Sequence, residues 1–341
     1  MDLPKKIRVL IVDDSVLVRE ALRSILGADP DLEVVGVARD GREAVDKTLL
    51  LCPDVVTMDL NMPVMDGFSA IKKIMTDGPV PVIVVSSMDV NRIKKALDIG
   101  AMDFVLVTGG IEEVGADLIE KVKIASRVKP IRTVRYNRSF SISPAPAMTG
   151  VGPVIVTIGI STGGPQSLQV LLSHLPNDLP AGILIVQHMS DGFITGLAEW
   201  LDSSAPLGVR VARAGEKLQP GTILFAPDGH NLRIDAAGWI SLSLPPAPRK
   251  GHIPSIDVMM KSVADSYGRR AAGVIMTGMG RDGVDGIKAI KRAGGLTIAQ
   301  DEESSVVFGM NREAIKTGSV DVVLPLKSIA GELIRILKIV E

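Results

Sequence analysis

Short apolar runs rich in Val, Ile and Leu recur along the chain, each followed by a longer stretch in which apolar residues return every three or four positions. The runs suit strands buried on both faces, and the spacing of the stretches suits amphipathic helices. In the N-terminal part the strands are predicted at 7–12, 33–38, 54–58, 80–85 and 103–107, with a helical pattern after each. Five such units in succession predict a parallel sheet covered on both faces, the flavodoxin-like (βα)5 arrangement. The alternation resumes further on, with strands predicted near 154–158, 182–187, 222–226, 273–276 and 296–299. These predict a second doubly wound, mostly parallel α/β domain. An antiparallel edge is expected around 231–244, where Gly238-Trp239 reads as part of a hairpin turn.

Between the two patterns the composition changes. Arg127, Lys129, Arg132, Arg135 and Arg138 are followed by Ser139, Ser141, Ser143, Pro144 and Pro146. The segment reads as a solvated linker, so the chain divides into domains at 1–125 and 153–341 joined by residues 126–152. A length of 341 residues and 46% hydrophobic content suit two domains with cores of their own. The net charge of -1 gives no reason to expect nucleic acid, and no aromatic ladder, zinc pattern or recognition helix accompanies the basic linker. No apolar run approaches about twenty residues, and the polar start Met1-Asp2-Leu3-Pro4-Lys5-Lys6 leads straight into a strand. The expectation is a cytoplasmic protein with no membrane insertion. Cys52, the single cysteine, precedes Pro53 at the end of an apolar helical pattern and is read as a buried structural thiol.

Candidate chemistry sits at strand ends. Ser161 lies in Gly159-Ile160-Ser161-Thr162-Gly163-Gly164-Pro165, between an apolar strand and a helix carrying Leu168, Leu171, Leu172 and Leu175. The glycines permit a tight turn, Pro165 suits the first position of a helix, and free N–H groups at the helix start could stabilise an oxyanion. Such a turn can present a nucleophile, but it can equally cradle a phosphate. Neither G-x-G-x-x-G nor a Gly-Lys-Ser/Thr continuation is present.

His188 directly follows the strand 182–187 and is expected on the same sheet edge as Ser161. His174 falls in the helix after the serine, and His230 and His252 fall in loops. Asp282 lies on a glycine-rich loop after the strand 273–276, and a carboxylate is what an imidazole base needs for orientation. Asp285 is a rival in the helix that follows. The chain order Ser, His, Asp differs from the Ser, Asp, His order of α/β-hydrolases, which predicts a different fold converging on the same triad.

In the first domain Asp13 and Asp14 end the first strand and Asp59 ends the third, so three carboxylates should converge on one edge. Mg²⁺, a hard cation that accepts a few carboxylates plus water, would offset their repulsion.

Two resemblances add to these readings. Asp13-Asp14, Met58-Asp59-Leu60-Asn61-Met62-Pro63, Asp66-Gly67, and Ser86 after Val82-Ile83-Val84-Val85 resemble the receiver domain of two-component response regulators. The resemblance implies that Asp59 accepts a phosphoryl group from a histidine kinase of the CheA type. It also implies Mg²⁺ on Asp13, Asp14, Asp59 and the Asn61 carbonyl, with Ser86 and Phe104 as switch residues. Receivers carry Lys-Pro after the fifth strand, whereas this chain has Val107-Thr108. A missing charge-assisted hydrogen bond, worth about 1.5–3 kcal/mol, would weaken the response to phosphate.

The Ser161 turn, Gln187-His188-Met189, Ala226-Pro227-Asp228-Gly229-His230, Pro254-Ser255-Ile256-Asp257, Met276-Thr277-Gly278-Met279-Gly280 with Asp282-Gly283, Ala299-Gln300-Asp301-Glu302 and Val307-Phe308-Gly309-Met310 resemble the CheB family of chemotaxis protein-glutamate methylesterases. Ile160, Ile253 and Asn311 depart from that family's alanine, arginine and proline. The resemblance implies hydrolysis of γ-glutamyl methyl esters on chemoreceptors by Ser161, His188 and Asp282. It further implies glutamine deamidation as a second activity, Thr162 or Met279 as oxyanion N–H donors, and no cofactor in the catalytic domain. The alternative is a receiver joined to a non-enzymatic nucleotide- or partner-binding module.

Overall fold

The structure, a computed structural model, describes residues 6–86, 90–107, 110–127, 155–189, 191–244 and 251–338. They form two units, one on either side of residues 128–154, so the expected linker lies almost wholly outside the described residues.

The first unit contains β1 (Ile7–Val12), α1 (Val16–Gly27), β2 (Leu32–Ala38), α2 (Gly41–Leu51), β3 (Val55–Met58), α3 (Gly67–Asp77), β4 (Val82–Ser86), α4 (Val90–Asp98), β5 (Asp103–Leu106) and α5 (Gly115–Ala125). The sheet order is β2-β1-β3-β4-β5, every pairing parallel. Val9, Ile11, Val55, Ile83 and Val105 pack on one face against Leu22 and Leu118 of the flanking helices. Burying each such side chain contributes about 1.5–3 kcal/mol. Helices begin where a side chain can take an orphan N–H: Ser15, Asp40 and Asp66 cap α1, α2 and α3 by accepting from Val18, Glu43 and Ser69. Cys52 corrects its reading. It is exposed, because it ends α2 in a left-handed conformation with φ 45° that turns the chain toward β3.

The second unit opens with β6 (Ile155–Ile160), α6 (Gly164–Leu172), β7 (Gly182–Gln187), α7 (Ile194–Asp202), β8 (Gly208–Val211) and β9 (Thr222–Phe225). It continues with β10 (Asn231–Ile234), β11 (Ile240–Ser243), α8 (Ile256–Tyr267), β12 (Ala271–Ile275), α9 (Val284–Arg292), β13 (Leu296–Gln300), α10 (Met310–Lys316), β14 (Val322–Leu324) and α11 (Leu326–Lys338). Seven strands form one parallel sheet in the order β14-β13-β12-β6-β7-β9-β8. All residues of β6 and β7 are buried. On one face Val156, Ile158 and Ile160 join Leu168 of α6 and Leu333 of α11, and on the other Leu184 and Val186 join Met259 of α8 and Ile287 of α9. The antiparallel pair around 231–244 exists as β10 and β11, but as a separate two-stranded sheet rather than an edge of the main one. Ser262 and Ser266 of α8 hold it by bonding the N–H and carbonyl of Ile234.

Chain direction explains where chemistry can sit. From β6 the chain winds outward through β7 to β8 and β9, then returns to β12 on the other side of β6. The crevice beyond the carboxyl ends of β6 and β12 is a topological switch point, where doubly wound sheets bind ligands.

Candidate active site

Ser161 is the first residue after β6. Its N–H donates to the Thr277 carbonyl at 3.0 Å, so the turn begins as a continuation of the ladder with β12. Two glycines make the turn possible. Gly163 has φ +78°, and a Cβ on Gly278 would lie 2.6 Å from Ser161 Cβ. Thr277 Oγ1 donates to the Thr162 carbonyl at 2.9 Å and accepts from the Val307 N–H at 2.8 Å. Gln300 accepts from Thr277 N–H at 2.9 Å and, through its own carbonyl, from buried Asn311, the residue standing where the family's proline was expected.

His188 follows β7, and its N–H donates to the Ile160 carbonyl at 3.0 Å, holding it beside the Ser161 turn. Its Nε2 lies 2.9 Å from Asp282 Oδ2. A carboxylate accepts, so the network assigns the proton to Nε2 and leaves the lone pair on Nδ1. Nδ1 is buried without a partner among the described residues. One ring face is covered by His252, whose ring centroid is 4.2 Å away with an 18° interplanar angle.

Asp282 lies in the loop between β12 and α9. Besides His188 it accepts from Ser255 Oγ at 2.9 Å and from the N–H groups of Ile256 and Asp257 at 2.8 and 3.0 Å. The last two are the exposed donors of the first turn of α8, where a negative charge is favoured. Burial pushes the Asp282 carboxyl up, but the His188 hydrogen bond and charge and these backbone donors hold it below its usual 3.8. Asp257 in turn binds the N–H groups of Gly283 and Gly286 at 3.0 and 2.7 Å, fixing the loop that carries Asp282.

Ser161, His188 and Asp282 therefore stand at three neighbouring strand ends, and the structure joins the last two by a hydrogen bond. The Ser161 hydroxyl makes none among the described residues. The N–H groups of Thr162 and Met279, the oxyanion candidates, have no partner there either. The rivals fall away by position. Asp285 is in the first turn of α9 paired with Lys288, and His174 lies just beyond α6, exposed and bonded to Val170. His230 is anchored to the Asp228 carbonyl. Ser255, Asp257, His252, Thr277 and Gln187 belong to the site without having been assigned roles by sequence. Of these, Ser255, Asp257, Thr277 and Gln187 lay inside the quoted motifs, and His252 was read only as a loop residue.

In the first unit Asp13, Asp14 and Asp59 line one pocket with Ser86, Val107 and Glu112, and among the described residues no lysine or arginine lines it. Burial raises Asp13 to about 6, helped by the charges of Asp59 and Asp14 and opposed by the Ser15 N–H. Burial raises Asp59 as well, against hydrogen bonds from Asn61, Leu60 and Ser86. Clustered carboxylates raised by burial and by one another's charge are a hard-oxygen set suited to Mg²⁺. No three acidic, His or Cys side chains among the described residues close on one point, so a cation here would need the Asn61 carbonyl and water beside the carboxylates of Asp13, Asp14 and Asp59. Phe104 is buried, with Lys121 Nζ 5.3 Å from its ring centroid.

A receiver-type sheet joined to a second doubly wound unit with a histidine–aspartate pair at its switch crevice defines a response-regulator enzyme of the hydrolase class. The family models for the CheB methylesterase and the response regulator receiver domain match residues 156–333 and 9–114. The chain is 42% identical over 346 residues to a protein-glutamate methylesterase/protein-glutamine glutaminase of Syntrophus aciditrophicus, covering 97% of this chain and 98% of that protein. It is 44% identical to one from Anaeromyxobacter dehalogenans, covering 96% of each. The Thermotoga maritima CheB methylesterase catalytic domain superposes with a TM-score of 0.52 at 40% identity, covering 54% of this chain and 99% of that one. The chain belongs to the CheB methylesterase family and carries a response regulator receiver domain.

Proposed function

We propose that the chain hydrolyses γ-glutamyl methyl esters on the cytoplasmic helices of chemoreceptors and deamidates receptor glutamines, with Ser161 as nucleophile, His188 as base and Asp282 as its orienter. The observation that carries this reading is the 2.9 Å bond from His188 Nε2 to Asp282, which leaves a buried, lone-pair-bearing Nδ1 just past β7, the neighbour of the strand that leads into Ser161. In the reaction Nδ1 takes the Ser161 proton as Oγ bonds to the ester carbonyl carbon. The N–H groups of Thr162 and Met279 receive the oxyanion, each worth about 3–4 kcal/mol if aligned. Nδ1 then gives the proton to the departing methoxide, releasing methanol. Water, deprotonated by the same atom, cleaves the acyl-enzyme to a glutamate and restores Ser161. With glutamine as substrate the leaving group is ammonia and the acyl-enzyme is identical.

Asp282 acts by accepting from Nε2, which fixes the tautomer and stabilises the transient imidazolium. His252, stacked on the ring, limits its rotation. In the receiver, Asp59 accepts a phosphoryl group from a CheA-type kinase, with Asp13, Asp14, Asp59 and the Asn61 carbonyl holding Mg²⁺. Bound there, Mg²⁺ neutralises carboxylate and phosphoryl oxygens. Ser86 and Phe104 read the phosphoryl group, and Val107 in place of the receiver lysine weakens that reading.

An organophosphonate tests the nucleophile. Mass spectrometry is expected to find the adduct on Ser161 and none in His188→Ala. Nucleotide binding with an unlabelled serine would favour a binding module instead.

A further inference from the structure

We propose that Gln187 is a positioning residue that sets the separation of Ser161 and His188, an inference that rests on the triad reading above. Gln187 ends β7 and is 3% exposed. Its Nε2 donates one proton to the Ser161 carbonyl at 2.9 Å and the other to the His188 carbonyl at 2.8 Å. Both acceptors are the main chain of residues assigned to the reaction. The opposite amide orientation would set an oxygen against two carbonyl oxygens, so the donor assignment is fixed by its surroundings.

The position of this side chain gives the bonds their meaning. The ladder between β6 and β7 closes with the bond from His188 N–H to Ile160 O, and beyond it the two chains part toward their loops. The carboxamide adds one more rung there, made by a side chain, on the residues whose spacing decides proton transfer. Its Oε1 is buried without a partner among the described residues. A Cβ added to Gly164 would lie 1.8 Å from that oxygen. Gly164 thus provides the space that the carboxamide occupies, and the two residues form one mechanical unit.

Two substitutions in the full chain attack that unit independently. Gln187→Met keeps length and apolar bulk but removes both donors, whereas Gly164→Ala keeps the donors and displaces them. Methanol release from methylated receptor membranes is expected to show kcat reduced about 10–100-fold in each, the range that small misplacements of reacting groups produce. KM should stay within twofold, so that the loss falls on kcat alone. The double variant should be no slower than the worse single one, since both remove the same rung.

A residue that only stabilises the fold would instead lower the melting temperature and leave kcat unchanged at permissive temperature. If Gln187→Met does not fold, Gly164→Ala decides by itself. Organophosphonate labelling separates the two levels of the argument. An unlabelled Ser161 in the parent chain overturns the triad and this proposal with it. A labelled parent with kcat within twofold in the folded variants overturns this proposal alone.

Discussion

Asp13 and Asp59 in the first unit and Asp282 in the second are the same kind of residue in the same kind of place, carboxylates just beyond parallel strands, and their surroundings drive them in opposite directions. Asp282 is buried yet held below the usual carboxylate range, because an imidazole, a hydroxyl and two helix-start N–H groups converge on it. Asp13 is buried and Asp59 half-buried, both with carboxylates for neighbours, and burial outweighs their donors, so both are raised. One site satisfies its negative charge from within. The other leaves its charge for a cation and a phosphoryl group to complete. A strand end supplies the location, and the balance of donors and charges against burial decides whether a carboxylate serves as fixed machinery or as a responsive site.

The largest test removes the self-sufficient charge. Asp282→Asn should keep the fold and lower kcat about 10⁴-fold, because the amide no longer enforces the Nε2–H tautomer. A loss below tenfold in methanol release would mean that Asp282 does not orient the base.

Next in size is the incomplete pocket. Val107→Lys supplies a cation facing Asp59 and should increase activation by a small phosphodonor about tenfold or more, in line with about 1.5–3 kcal/mol for a charge-assisted hydrogen bond. Equal activation in parent and variant would show that Val107 costs the receiver nothing.

The smallest effect is on stability against pH, where the two sites should differ in sign. Asp282 has a folded value below 3.8, so its contribution is present above that pH and is lost as pH falls through the folded value. Asp13 has a folded value of about 6, so the metal-free receiver is most favoured below 3.8 and loses that contribution as pH rises toward 6. Hydrogen exchange resolved by peptide in the full chain should show β12 and α8 loosening in acid. Residues around Asp13 should loosen toward neutrality and tighten again with Mg²⁺. Matching trends in both units would erase the contrast.

Much of this was legible in sequence because buried parallel strands announce themselves as uninterrupted apolar runs. The boundaries of β1, β7 and β13 fall within a residue of expectation, and the strand-end rule placed Ser161, His188 and Asp282 on one edge. The short edge strands β8 and β14 escaped, since Arg210 interrupts the apolar run of the first and the second is only three residues long. Cys52 was misjudged because helical periodicity says nothing about a left-handed cap. Gln187 stood in a quoted motif, but its role was not legible, for a different reason. Its partners are main-chain carbonyls, one of them 26 residues away, and no residue type marks a carbonyl that needs a donor. Caps that grip backbone close by in sequence, such as Ser15 and Asp40, leave a local pattern, whereas a grip on backbone far along the chain shows only in the fold.

The central claim is that a preset Ser161–His188–Asp282 arrangement performs ester hydrolysis on receptors. The most direct measurement is methanol release from methylated receptor membranes by the parent chain and by Ser161→Ala, folded alike by circular dichroism. The account expects turnover in the parent and none above background in the variant. Retained turnover in Ser161→Ala would contradict it.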